Sequence, residues 1–244
     1  MTSRLRMWTL AGALAAGAAT PALAGKIVVP EGCEAFLSVQ MKECGVSHYW
    51  RCNEGPEGAV WEVHYDADGA FSMSVYSAEF QWLDSRYFAD GTREHLVEEG
   101  PDPASLSELL DTGRDTYAFV IRETGPNGAR DVVHQGYDRL TGRTVTIDGT
   151  ELLETEFAST AMDAESGETV YEVFGNQFVL ADERLFFLGP DTFRQDGEER
   201  ENDASPLLFI RPGETNFGDT MPQFGCEGAE EIVFRPAPAA AARP

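Results

Sequence analysis

Residues 61–75 read WEVHYDADGAFSMSV. Trp61, Val63 and Tyr65 alternate with Glu62 and His64, and Phe71, Met73 and Val75 alternate with Ser72 and Ser74. Successive side chains on a strand point to opposite faces, so a period of two marks a strand with one apolar and one polar face. Between the runs stands Asp66-Ala-Asp-Gly69, and Asp-Gly readily adopts the positive backbone angles of a tight hairpin. The stretch reads as a β-hairpin, and much of the chain repeats it. Tyr117, Phe119 and Ile121 keep the period, as do Val145 and Ile147 beside Thr144 and Thr146. Ala89-Asp-Gly91, Gly125-Pro-Asn-Gly128, Ile147-Asp-Gly149, Glu165-Ser-Gly167, Gly175-Asn176 and Gln195-Asp-Gly197 punctuate it as turns. This succession predicts a mainly β fold, an antiparallel meander forming an open or incomplete barrel or a β-sandwich.

One short helix is expected near 102–112. Asp102 suits the N-cap, Pro103 the first position, Leu106, Leu109 and Leu110 form an apolar stripe, and Gly113 ends it. Lying between two groups of strands, it is placed to plug a barrel mouth or to cover a sheet edge. Residues 191–203 carry six acidic residues and two arginines with little apolar content, and are expected to form a solvated loop.

The N-terminus, MTSRLRMWTLAGALAAGAATPALA, has Arg4 and Arg6, an apolar run and the small-residue signature Ala22-Leu-Ala24. It reads as a signal peptide over 1–24, cleaved near Ala24. A single β-rich exported domain over 25–234 and a Pro/Ala tail over 235–244, expected to be disordered, complete the organisation. The expected location is the periplasm or the extracellular medium, with no integral membrane segment in the mature chain. The chain has 18 basic and 42 acidic residues; without Arg4 and Arg6, 16 basic residues remain and the net charge is −26. Such a surface repels nucleic-acid phosphates and keeps an exported protein dissolved.

Four cysteines in an exported chain imply two disulfides. In ECGVSHYWRC, residues 43–52, Cys44, His48 and Cys52 stand four residues apart. On a strand, Cys44 and Cys52 lie about 26 Å apart, too far to share a metal ion or a disulfide. Cys33 and Cys44 are separated by a strand or a helix and are also too distant. Cys33–Cys52 with Cys44–Cys226 is the pairing left.

Little else points to chemistry. No zinc-protease helix, nucleophile elbow, Walker loop, haem-attachment motif or Cys-x-x-Cys pair occurs. His64 and His134 fall on the polar phase of their strands, where solvated histidines are expected. Aligning Asp66-x-Asp68-Gly69 with a calcium loop puts His64 and Val75 at ligand positions, so it is read as a turn. Glu151, Glu154 and Glu156 crowd one strand, and Glu154 and Glu156 share a face as a glycosidase pair would, yet ordinary wet faces look the same. Phe186-Phe-Leu188 puts apolar groups on both faces of its strand, so both are covered or one lines a cavity.

No catalytic, metal or cofactor residue is assigned, and the ligand-binding residues are left open. The functional expectation is a soluble exported binding protein that holds an apolar ligand or lipid. The alternatives are an assembly module that binds another envelope protein, and a hydrolase built on a carboxylate pair. In export signal, size, meander and one lid-capable helix, the layout is similar to that of the LolA-type periplasmic carriers, half-barrels that handle lipoprotein acyl chains. That family's large helical content is not evident in this sequence, and no residue is carried over from it.

Overall fold

The computed structural model describes residues 25–226 and 235–236; the signal-peptide and most of the tail assignments lie outside them. The described residues form one antiparallel sheet and one α-helix. The strands are β1 (Cys33–Met41), β2 (Gly45–Cys52), β3 (Val60–Asp66), β4 (Gly69–Tyr76), β5 (Trp82–Tyr87), β6 (Arg93–Asp102), β7 (Arg114–Gly125), β8 (Gly128–Ile147), β9 (Thr150–Asp163), β10 (Thr169–Leu180), β11 (Leu185–Gln195), β12 (Glu198–Asp203), β13 (Pro206–Ile210) and the two-residue β14 (Arg235–Pro236). Helix α1 (Leu106–Thr112) lies between β6 and β7. The sheet order is β13-β1-β2 and on in sequence to β12-β14, a meander with its thirteenth strand returned to the first edge.

That return rolls the sheet. β12 belongs to one edge and β13 to the other, yet only Ala204 and Ser205 separate them. So short a link reaches about 10 Å, so the edges must approach each other. They meet through loops instead of a ladder. Lys42 Nζ pairs with Asp203 Oδ2 at 2.6 Å, Lys42 N donates to Ser205 O at 3.1 Å, and Asp203 N donates to Glu43 Oε1 at 2.6 Å. The sheet is therefore open, not a closed barrel. Inside the roll, Leu37, Val39 and Tyr49 from β1 and β2 pack against Leu185, Phe187 and Phe209.

Both disulfides tie down this first edge. Cys33 bonds to Cys52 across the β1–β2 pair, with α-carbons 3.9 Å apart, and Cys44 bonds to Cys226, with α-carbons 4.5 Å apart. The second anchors residues 211–226 over the outer face of β1. Gly218 N donates to Ser38 Oγ at 3.1 Å, Gln223 N to Gln40 Oε1 at 2.8 Å and Cys44 N to Phe224 O at 3.0 Å. β1 and β2 are thus covered on both faces.

Three local expectations change. The helix starts at Ser105, whose hydroxyl accepts from Glu108 N at 3.1 Å; Asp102 ends β6 and accepts from Thr116 Oγ1 at 2.8 Å. Gly113 ends the helix in the left-handed region, φ 85°. Gly175-Asn176 is no turn but a register shift inside β10. A Cβ at Gly175 would lie 2.3 Å from Pro190 O, so this glycine permits a close strand approach. Residues 191–203 are mostly the β11–β12 hairpin, with Arg194 paired to Glu199; cross-strand pairs replace the missing apolar content.

Candidate functional site

The concave face of the rolled sheet encloses a cavity of about 590 Å³, within the usual range for small-molecule sites. Its wall follows from strand register. On β7, Asp115, Tyr117 and Phe119 share the inward phase, and they stand opposite Asp138, Gly136 and His134 of β8. Asp138 and Gly136 in turn face Phe157 and Ser159 of β9, and Ser159 faces Val173 of β10. From the other side come Glu62 and His64 of β3, Ser72 and Ser74 of β4, and Ser85 and Tyr87 of β5. A Cβ on Gly136 would lie 2.7 Å from Tyr117 Oη and 2.2 Å from Ala158 O. Only glycine leaves Tyr117 room to lie across β8.

Helix α1 closes one end of the cavity with buried Leu106, and its buried Leu109 packs with Val179 behind it. It is held by Glu79, which accepts from Ser107 N at 2.8 Å and Ser107 Oγ at 2.9 Å and pairs with Arg184 at 2.9 Å. Phe71 and Leu188 also line the cavity and are 42% and 48% exposed, so the cavity opens to solvent past an apolar rim.

Four carboxylates line the wall: Glu62, Glu79, Asp115 and Asp138. Glu62 accepts from Ser47 Oγ at 2.6 Å, Tyr49 Oη at 2.9 Å and Tyr76 Oη at 3.2 Å. Asp115 Oδ2 accepts from Ser105 N at 2.9 Å, but its Oδ1 has no partner, nor has Asp138 Oδ1. Burial pushes Asp115 up to about 6. Burial, with the Asp115 carboxylate adding to it, pushes Asp138 up to about 7. His134 is 6% exposed, stacks on Phe119 at 5.5 Å and meets Trp82 edge-on at 5.4 Å. Burial lowers it to about 4, so it is neutral at pH 7.

Ser47, His64 and Glu62 lie together without forming a nucleophile site. Ser47 donates its proton to Glu62, so His64 Nδ1, 3.0 Å from Ser47 Oγ, is the donor of that contact. Ser47 is wholly buried, and a nucleophile would need its proton directed to the imidazole.

Phe186, Phe187 and Leu188 line the cavity, whereas the carboxylate pair and the cysteines singled out from sequence lie elsewhere. Neither Glu154 nor Glu156 lines the cavity, and each is ion-paired to its own arginine of β8, Arg143 and Arg139. Cys44, His48 and Cys52 do not meet: the cysteines are in different disulfides, and His48 Nδ1 bonds Ser38 Oγ at 2.7 Å. His134 is buried and His64 half-buried, both against the cavity and neither a solvated surface histidine. Among the described residues no three His, Cys, Asp or Glu side chains converge as a metal site would need. Asp115 and Asp138 escaped notice, although one signal was present: Asp115 lies in phase with Tyr117 and Phe119, where an acid is out of place.

No family model, curated protein or solved structure matches the chain.

Proposed function

We propose that this is an exported, periplasmic-type binding protein that holds the apolar body of a small molecule inside its rolled sheet. The supporting observation is the aromatic cavity. A sheet this size could have filled its concave face with side chains, as the β1–β2 end does. Where β3 to β10 curve round, about 590 Å³ is left open and reaches solvent past Phe71 and Leu188. Export fits the two disulfides, which persist in oxidising compartments.

Nile red, a neutral apolar dye, tests the reading. It is expected to bind with one-to-one stoichiometry and blue-shifted emission, and a Ser159→Trp substitution, which puts an indole into the cavity, is expected to abolish the signal. Emission unchanged from water would overturn the proposal, as would undiminished binding by a folded Ser159→Trp protein.

A further inference from the structure

We infer that the ligand is an organic cation, a protonated amine whose charged head sits against Asp115 and Asp138 while its apolar body lies along the aromatic wall. This rests on the binding reading above and specifies the class of ligand.

Three observations carry it. The cavity-lining polar atoms that are shielded from solvent and lack a hydrogen-bond partner are Asp115 Oδ1, Asp138 Oδ1 and Gln177 Oε1. All three are acceptors, so the missing partner is a donor. Asp115 is 3% exposed, and a carboxylate oxygen so deeply buried is normally paired. The other two cavity carboxylates are already satisfied within the protein.

The second observation is register. Asp115 and Asp138 stand directly opposite each other on β7 and β8. Like charges so placed have β-carbons roughly 5 Å apart and repel. Among the described residues no lysine or arginine lines the cavity to offset them, and neutral His134 supplies no cation near pH 7. One positive charge between the two carboxylates would answer both.

The third is the surrounding wall. Trp82, Tyr117, Phe119 and Tyr171 line the same cavity, and ring faces attract cations, most of all when water is excluded. Two carboxylates among aromatic rings suit an alkylammonium better than a metal ion, which would ask for further hard donors. An anion would find no lysine or arginine among the described lining residues and would face the repulsion of the carboxylates.

Calorimetric titration at pH 8 with 4-phenylbutylamine, 4-phenylbutanol and 4-phenylbutyrate separates head-group charge from apolar body. The amine is expected to bind at least tenfold more tightly than the alcohol, and the carboxylate most weakly. In an Asp115→Asn, Asp138→Asn double variant the amine should fall to the alcohol's affinity while the alcohol's is kept, which also reports that the variant folds. Should the double variant not fold, Asp138→Asn alone must lower the amine-to-alcohol ratio at least threefold. An amine no tighter than the alcohol, or a preference that survives these substitutions, overturns the cation inference. If the alcohol or Nile red still binds, the cavity reading stands without it; if none of these probes enters, the cavity reading falls too.

Discussion

Asp138→Asn should make the ligand-free protein more stable, and by an amount that depends on pH. In the folded chain burial and the facing Asp115 move the Asp138 carboxyl from its ordinary 3.8 up to about 7. A raised carboxyl favours the protonated form in the folded state. Its penalty is therefore absent below pH 3.8, grows as pH rises towards 7, and is complete above it. The separation of folded and unfolded values corresponds to a penalty of about 4 kcal/mol above pH 7. Asparagine keeps the shape and cannot ionise, so the variant should exceed wild type by up to about 4 kcal/mol at pH 8, with the gain shrinking towards pH 4. Urea unfolding of both proteins at intervals from pH 4 to pH 8.5 measures this, and the difference cancels titrations that the two share. A difference independent of pH, or a variant less stable than wild type at pH 8, would refute the account of Asp138 as a buried, unneutralised charge.

Acid should act through the histidines in the opposite sense. Burial lowers both His48 and His134 from 6.5 to about 4, so their contribution is full above pH 6.5 and is lost as pH falls to 4, about 3 kcal/mol each; urea midpoints of His134→Phe should decline less steeply than those of wild type over that range. Cys226→Ser opens a loop with a sequence separation of 182 and should lower unfolding free energy by about 5 kcal/mol in the chain-entropy account, with faster amide exchange at Ser38 and Gln40, which residues 211–226 cover. Gly136→Ala drives a methyl towards Tyr117 Oη and Ala158 O and should destabilise by about 1–3 kcal/mol, weakening Nile red binding in the same protein as the tyrosine is displaced.

What could be read from the chain was local. Asp66-Ala-Asp-Gly69 and Gly125-Pro-Asn-Gly128 form hairpins because a few residues decide a tight turn. The disulfide pairing followed from the rise per residue of one strand. Which face of a strand turns inward was not local. On β3 the apolar phase, Val63, lies on the same face as His48 and Ser38, the face that residues 211–226 cover, while the polar phase, Glu62 and His64, faces the cavity. A segment about 150 residues downstream thus decides that the polar face of residues 61–65 is the inner one. Alternation identifies a strand, but it identifies the core face only where one face alone is covered. The helix start shows the same limit on a smaller scale. Asp102 is a good cap in isolation, but its pairing opposite Ala118 keeps it in β6 and leaves Ser105 to begin the helix.

The acidic composition also gains meaning from where its counter-charges lie. Net charge by itself speaks only to solubility and long-range attraction. Arg93, Arg122, Arg139, Arg143 and Arg194 each pair with a carboxylate on the neighbouring strand. Exposed pairs of this kind contribute little to stability, but they hold these arginines outside the roll. Among the described residues the cavity lining keeps four carboxylates and no lysine or arginine. Two of the four are fully bonded by serines, tyrosines and the helix start, and the other two face each other across β7 and β8. A fold under no functional constraint would replace one of that pair with asparagine and gain stability. Keeping both makes sense if the occupied state is the relevant one, because a bound cation turns their mutual repulsion into attraction for the ligand.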